Sequence, residues 1–264
     1  DLAGIATVPQ KLDGQSLAPI FRGQRDSLDD RMLVINYSRM PMFKVTYTQD
    51  NPAIPNRDGA AVLWKHWRFL ENRQLYNIQQ DLHQDHDVAA AHPEVVARMR
   101  EQLNRWWDGV KQDVMQPQRI VIGSDHENPM MLTACEWLDV FIDQQVQVRR
   151  ADLKNGVWHL RVAQAGTYQY EMRRWPRESG LKLTDGLDAT PVTDGQFIAG
   201  KALPIAAGRL RVGQFDQSRQ PDNGGRSVTF TVSLKPGDTE MQTWLLDDQG
   251  RSMLGAYYVY LVRQ

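Results

Sequence analysis

The spacing of apolar residues changes near residue 116, and this change limits the possible folds more than any other feature of the chain. Up to that point the clearest pattern is a run with the 3.6-residue spacing of one helix face: Val95, Val96, Met99, Leu103, Trp106, Trp107 and Val110. Beyond it, polar and apolar residues alternate as they do in half-buried strands, in VWHLRVA, TYQYEMR and VTFTVSL. We therefore predict an α+β segment over residues 1–115 and an all-β, sandwich-like domain over residues 116–264.

Residues 1–115 are predicted to form a small antiparallel sheet covered by a C-terminal helix. The helix should begin near Pro93, because proline suits the first helical position and Glu94 suits the positive end of the helix dipole. The strand candidates are MLVINYS as a buried strand, FKVTYT, AAVLWKHWRFL as one continuous strand, and QLYNI. In AAVLWKHWRFL, strict alternation would place Val62 and Trp64 on one face and Phe69 on the other.

Composition argues against several function classes. The chain has 31 Lys and Arg against 32 Asp and Glu, so no bulk positive charge would attract nucleic acid. No apolar run approaches the roughly 20 residues of a transmembrane helix, and we expect no membrane span. The single cysteine, Cys135, excludes an internal disulfide and a Cys-rich zinc site. We interpret Cys135 as a small buried apolar residue rather than a nucleophile.

A cluster of histidines and aspartates precedes the predicted helix: His83, Asp85, His86, Asp87 and His92. The spacing of His83 and His86 is compatible with a transition-metal site. We favour the other interpretation, in which polar side chains of a strand-to-helix connection accept hydrogen bonds from backbone N–H groups. No residue of this chain is assigned to a metal.

Two further segments have two interpretations each. RRWPRE at 173–178 offers arginines for an anionic ligand, but we favour a structural role in which Arg stacks on Trp175 and pairs with Glu171 or Glu178. GSDHEN at 123–128 is interpreted as a turn whose polar groups could touch a ligand. An exposed aromatic platform for carbohydrate is a separate hypothesis, and it would use Trp158, Tyr168, Tyr170 or Trp175.

Four phrases occur in an order that resembles a known family: DLAGI, LDGQSLAPIFRGQ, AVLWKHWRFL and QLYNIQQDLHQDHDVAAAHPEV. Together they resemble the C-terminal segment of bacterial arylsulfatases of the alkaline-phosphatase-like superfamily. The family phrase LYDL-x-x-DP-x-E-x-x-NLA is matched by Leu75, Tyr76, Asn77, Ile78, Asp81, Asp87, Val88 and Ala89. Leu82 stands where the family has proline, and the usual acid is displaced. The resemblance covers residues 1 to about 112, while the β region resembles an extra C-terminal module of some of these enzymes.

The resemblance implies hydrolysis of a sulfate ester by a formylglycine, made from Cys or Ser in the motif Cys/Ser-x-Pro-x-Arg, together with calcium. None of the 13 prolines has Cys or Ser two places before it. Glu136 and Trp137 follow Cys135, which therefore does not fit the motif. We expect no catalytic residue here: the nucleophile and the calcium ligands would belong to a missing N-terminal catalytic domain. DLAGI also suggests a longer protein, since Gly4 would end a helix that begins upstream. The resemblance implies a periplasmic or secreted enzyme.

Substrate contact is the role left to this segment by the resemblance. Cationic and aromatic side chains in the connection 38–60 and just after it would suit a sulfated sugar or aryl sulfate at the rim of the cleft: Arg39, Lys44, Tyr47, Arg57 and His66. The alternative for the connection is a solvated surface loop. Two other functions stay open for the whole chain: a non-catalytic carbohydrate-binding protein, and a structural module with an apolar patch where the rest of an enzyme docks.

Overall fold

The computed structural model describes Gly4 and residues 14–36, 56–114, 116, 118–137, 140 and 142–264. These residues are mostly β, which confirms the β-rich character predicted for the chain. They divide into two compact units. The N-terminal unit comprises the described residues of Asp1–Ser38 and Pro55–Lys111, and the C-terminal unit contains those of Gln112–Gln264. The predicted strand FKVTYT lies outside the described residues.

The described part of the N-terminal unit is built on one antiparallel sheet and one long helix. Strands β1 (Leu33–Asn36), β2 (Ala60–Trp64), β3 (Trp67–Leu70) and β4 (Gln74–Asn77) pair in that order. A short helix α1 (Ala18–Phe21) precedes them, and helix α2 (Pro93–Val114) follows. Helix α2 begins at Pro93, as predicted. None of the helices described is both long and apolar enough to cross a membrane.

The helix and the sheet share a compact core, because the apolar stripe of α2 is matched by the inward residues of three strands. Val96, Met99 and Leu103 of the helix cluster with Val62, Phe69 and Leu75 of the sheet. All six are buried. Burial of a side chain of this size contributes about 1.5–3 kcal/mol relative to full exposure, so this interface stabilises the packing of the helix on the sheet.

The predicted continuous strand AAVLWKHWRFL is wrong, because Lys65 and His66 turn the chain back on itself. Lys65 has a φ of 52°, in the left-handed region that permits a tight reversal. Trp64 pairs with Trp67, and Val62 pairs with Phe69. Cross-strand partners share a face, so the hairpin brings Val62 and Phe69 into the same core instead of placing them on opposite faces.

The prediction of a buried strand at MLVINYS is also wrong. Strand β1 lies at one edge of the described sheet, where it pairs with β2. Leu33 is 44% exposed and Ile35 is 53% exposed. A continuous apolar run identifies a strand but does not show whether neighbours cover both of its faces.

The described part of the C-terminal unit contains two larger sheets. The first has the order β12-β11-β14-β7-β5, with β15 also paired to β14, and the second has the order β13-β8-β16-β6. A separate hairpin is formed by β9 and β10, and α3 is a short helix. The bounds are β5 Ile120–Ile122, β6 Met130–Thr133, α3 Gln145–Arg150, β7 Val157–Val162, β8 Gly166–Arg173, β9 Thr190–Val192, β10 Gly195–Phe197, β11 Ala207–Val212, β12 Phe215–Arg219, β13 Val228–Leu234, β14 Gly237–Leu246, β15 Ser252–Leu254 and β16 Tyr258–Arg263.

One hydrophobic core is shared by the two larger sheets, and alternation along their strands supplies it. The second sheet contributes every other residue of β8 and β13, including Tyr168, Tyr170 and Phe230. The first sheet contributes Leu210 of β11 in the same way, and also Met241 of β14, where Gln242 and Thr243 are buried as well. These five side chains have no exposed surface, and the alternation in TYQYEMR and VTFTVSL accounts for the three from the second sheet.

Candidate functional site

The structure places two of the five predicted rim residues. Arg39, Lys44 and Tyr47 lie outside the described residues. Arg57 belongs to a 3-10 turn that precedes β2, and His66 belongs to the turn that follows it. At a rise of roughly 3.3 Å per residue, the length of β2 separates these two side chains by roughly 17 Å. The hairpin therefore carries Arg57 and His66 at opposite ends and does not bring them together.

Arg57 joins its turn to helix α2. Its Nε donates to Asp58 Oδ1 at 2.8 Å, and its Nη1 donates to Asn104 Oδ1 at 3.1 Å. The hydrogen bond to Asp58 raises the pKa of Arg57 and lowers the pKa of the Asp58 carboxyl. Asn72 extends the network by linking Asp58 to Arg100. Two of the three guanidinium nitrogens of Arg57 therefore bind neighbouring residues of the fold.

His66 lies at the more aromatic end of the hairpin. Its ring centroid is 4.7 Å from that of Trp67, which is 4.8 Å from that of His92 at the start of α2. Close by, the guanidinium of Arg98 lies 4.2 Å from the ring of Trp64. Sequence reasoning selected His66 but missed that His92 and Arg98 contact the tryptophans of this hairpin, because those two residues come from a separate segment. The Arg98 guanidinium beside these aromatic rings makes this end suited to anionic or aromatic ligands.

The His/Asp cluster forms the connection between β4 and α2. Asp81 Oδ2 accepts the backbone N–H of His86 at 2.8 Å, and that bond lowers the pKa of Asp81. Asp87 Oδ1 accepts the N–H groups of Leu75 and Ala89. The interpretation of this loop as a hydrogen-bonded connection is confirmed. Within the described ranges, His, Cys, Asp and Glu side chains do not form any group of three or more that could hold a metal ion.

The predicted aromatic platform is wrong. Trp158, Tyr168 and Tyr170 have no exposed surface, and Trp175 is 4% exposed. All four belong to the hydrophobic core of the C-terminal unit. Alternation explains the error: the aromatic residues of β8 occupy the inward positions, so the surface of that strand is formed by the residues between them.

Those intervening residues line a groove on the outward face of the second sheet. The cavity has a volume of about 530 Å³. Cross-strand pairing aligns four of its residues in one row that crosses the whole sheet: Thr229, Glu171, Tyr260 and Met131. Gln169 and Val262 pair in the adjacent row and also line the groove. Glu127, from the GSDHEN turn, contributes a carboxylate at its border. Sequence reasoning missed the row, although the alternation that located the core gives its positions.

Glu171 is the electrostatic centre of this groove. Its Oε1 accepts from Arg173 and its Oε2 accepts from Arg177. Partial burial opposes ionisation of Glu171, but the hydrogen bonds from Arg177 and Arg173 and their charges outweigh it, so the pKa of Glu171 is lowered. The guanidinium of Arg177 lies 4.1 Å from the centre of the Tyr260 ring, and the backbone N–H of Arg177 donates to Tyr260 Oη at 3.0 Å. Glu171, Arg173, Arg177 and Tyr260 thus hold one another in place.

The segment RRWPRE has the structural role that we favoured for it. Arg174 is fully buried, its guanidinium lies 4.6 Å from the ring of Trp175, and it donates to the carbonyl groups of Asp185 and Lys201. Burial lowers the pKa of Arg174 to about 10. The predicted stacking of arginine on Trp175 and the predicted pairing with Glu171 are confirmed. Arg177, at the same time, is an exposed part of the groove.

The predicted burial of Cys135 is wrong, because its side chain is exposed. Cys135 is the middle residue of a 3-10 turn, Ala134–Glu136, and this turn is closed by Glu136 Oε2 accepting the N–H of Thr133 at 2.6 Å. Trp137, which follows the turn, enters the core instead.

Comparison with known proteins does not identify a relative. No family model matches the chain, and no curated protein matches it. Among solved structures, a ruminal GH26 endo-beta-1,4-mannanase has a TM-score of 0.31 and 8% sequence identity over 52% of this chain. The chain covers 26% of that structure. Proteins with so low a structural similarity need share neither fold nor activity.

Proposed function

We propose that this chain is the C-terminal part of a sulfatase that hydrolyses aryl sulfates or sulfated carbohydrates. The observation that carries the proposal is that the family-like phrases fall on consecutive elements of one unit. AVLWKHWRFL forms the hairpin β2–β3, QLYNI contains β4, and the following phrase forms the loop that leads into α2. A small antiparallel sheet under a C-terminal helix is the arrangement that the resemblance implies.

Asp81 and Asp87 strengthen the correspondence, because the family phrase has Asp and Asn at these two positions. In the structure, each carboxylate accepts backbone N–H groups that hold the loop in place. Asn can accept the same bonds as Asp, since both side chains carry an oxygen at the same distance from the backbone. The backbone hydrogen bonds therefore explain the Asp or Asn at these two positions without a metal.

The proposed role is to complete the catalytic fold and to form part of the pocket rim. A missing N-terminal domain would supply the formylglycine and the calcium site, and no residue of this chain is assigned to either. The C-terminal unit would be a β-sandwich accessory domain, since its two larger sheets share one core. Such an enzyme would be periplasmic or secreted.

The hairpin end is the best-supported part of the rim. Lys65 and His66 lie there beside Trp67, and Lys65 Nζ is 3.4 Å from Asp30 Oδ2. A sulfate ester brings negative charge, and a cationic and aromatic surface is complementary to it. Arg57 would contribute less, because Asp58 and Asn104 already bind its guanidinium. Arg39, Lys44 and Tyr47 complete the proposed rim.

The experiment uses the complete gene product that contains these residues. Its coding sequence should carry Cys/Ser-x-Pro-x-Arg upstream, and the complete protein should hydrolyse 4-nitrophenyl sulfate while residues 1–264 alone should not. Turnover by residues 1–264 alone would contradict the proposal. So would an upstream sequence without the motif.

Variants of the complete protein test the rim separately. Lys65→Ala and His66→Ala should raise KM several-fold for a sulfated substrate and leave kcat nearly unchanged, since they remove binding shared by the ground and transition states. Lys111→Ala is the matched control, because Lys111 is also an exposed lysine in an ion pair. If all three variants changed KM equally, the assignment of Lys65 and His66 to the pocket rim would be contradicted.

A further inference from the structure

The groove on the second sheet has the size and lining of a ligand site. Its volume of about 530 Å³ lies within the roughly 300–1,000 Å³ typical of small-molecule pockets. It lies wholly within the C-terminal unit and contains none of the residues assigned to the sulfatase rim. A binding function of this groove therefore does not rest on the proposed sulfatase activity.

The charges of the groove cancel among themselves. Glu127, Glu171 and Arg177 line it, and Arg173 pairs with Glu171 from beside it, so two acidic groups face two basic groups. Both oxygens of Glu171 already accept from arginine. Because acidic and basic groups are equal in number, the groove has no excess charge to attract a charged ligand and is complementary to a neutral one.

Between them, the remaining polar groups can donate and accept hydrogen bonds. The Gln169 amide can do both, whereas the Thr229 hydroxyl donates to Asp222 Oδ2 at 2.6 Å and is left to accept. Tyr260 Oη accepts the N–H of Arg177, which leaves its own O–H to donate. Sugar hydroxyls likewise donate and accept, and the C–H faces of a sugar ring can pack on Met131 and Val262. This mixture of apolar surface with hydrogen-bond donors and acceptors is what a polyhydroxylated ligand requires.

The groove is also preorganised, which lowers the entropic cost of binding. Arg177 contacts Glu171 and Tyr260 simultaneously, and Glu171 is additionally held by Arg173. The row from Thr229 to Met131 is built on four hydrogen-bonded strands, which are more rigid than loops. We propose that this groove is a binding site for a neutral oligosaccharide, contacted by Gln169, Arg177, Thr229 and Tyr260.

Isothermal titration calorimetry of the full chain tests the site with cellohexaose, mannohexaose, xylohexaose and maltohexaose, and with a sulfated carrageenan hexasaccharide for comparison. At least one neutral hexasaccharide should bind with a Kd between micromolar and millimolar. Gln169→Ala and Tyr260→Phe should each weaken that binding by about tenfold, because each removes a hydrogen bond to the ligand.

Gln217→Ala is the matched control, since Gln217 is an exposed glutamine on β12 of the other sheet and should not affect binding. Thermal unfolding of each variant separates loss of binding from loss of fold. Tyr260→Phe keeps the ring under Arg177 and should remain folded. The proposal is overturned if no neutral hexasaccharide binds at millimolar concentration, if only the sulfated one binds, or if Gln169→Ala and Tyr260→Phe bind as the parent does.

Discussion

Asp87 accepts the backbone N–H of Leu75 through its Oδ1 at 3.0 Å, and thereby fastens the loop before α2 to strand β4. The same oxygen accepts the N–H of Ala89 at 2.9 Å. Asp87→Ala should lower the free energy of unfolding by about 1–2 kcal/mol, because two backbone donors lose their acceptor. Chemical denaturation measures this change.

Two further variants of the loop make that prediction specific. Asp87→Asn keeps an acceptor oxygen in place and should retain most of the stability. Asp85→Ala changes a neighbouring exposed aspartate and should stay within about 0.5 kcal/mol of the parent. A loss in Asp85→Ala as large as that in Asp87→Ala would mean that general loop charge, and not these two bonds, is responsible.

Glu171 should make the C-terminal unit sensitive to acid. Its pKa is lowered from 4.5 in the folded state, so its ion pairs contribute stability above that pH, and this contribution is lost as the pH falls through the lowered pKa. Glu171→Gln should therefore be less stable than the parent at neutral pH, and the difference should shrink at about pH 3. Denaturation midpoints at both pH values test it, with Glu240→Gln on the other sheet as control. A difference independent of pH would contradict the prediction.

Two glycine substitutions should change the free energy of unfolding in opposite directions. A Cβ at Gly156 would lie 2.5 Å from Trp137 Cβ, so Gly156→Ala should destabilise the C-terminal unit by about 1–3 kcal/mol through overpacking. Gly109 lies in helix α2 with no neighbour within 4 Å of the added Cβ. Gly109→Ala should stabilise by up to about 1 kcal/mol, because alanine is the better helix former. Thermal and chemical denaturation measure both, and a stabilising Gly156→Ala would show that Trp137 can move aside.

Buried tyrosines should control unfolding in alkali. Burial raises the pKa of Tyr168, Tyr170 and Tyr257 above the ordinary value of 10.0. Their burial therefore stabilises the fold fully below that pH and less as the pH rises above it. Phenolate absorbance and circular dichroism, followed together in an alkaline titration, should show these three groups ionising only as the unit unfolds. Complete ionisation with an unchanged dichroism spectrum would contradict the prediction.

Strong local signals in the sequence were sufficient for some elements. Helix α2 follows from Pro93 and the regular stripe that contains Met99 and Leu103, because a long amphipathic helix leaves a pattern over many residues. The β8 and β13 faces follow from simple alternation. The hairpin at Lys65 left no such signal, since neither Gly nor Asn marks the reversal and the apolar pattern continues across it.

Burial and grouping depend on distant parts of the chain, and this limited the site predictions. Cys135 has apolar neighbours in sequence, but its 3-10 turn directs Trp137 into the core and leaves Cys135 outside. The groove unites Thr229, Glu171 and Tyr260 from three separated strands. Alternation shows that each faces away from the core, but only strand pairing makes them neighbours.

Strand β16 has a consequence for biosynthesis. It lies between β8 and β6 in the second sheet, and it follows both of them by a long stretch of chain. During translation, β6 and β8 leave the ribosome well before the strand that joins them, and they have no pairing with each other in the finished sheet. One backbone edge of each strand therefore stays unpaired until β16 has been synthesised, so the nascent chain should depend on chaperones during that interval.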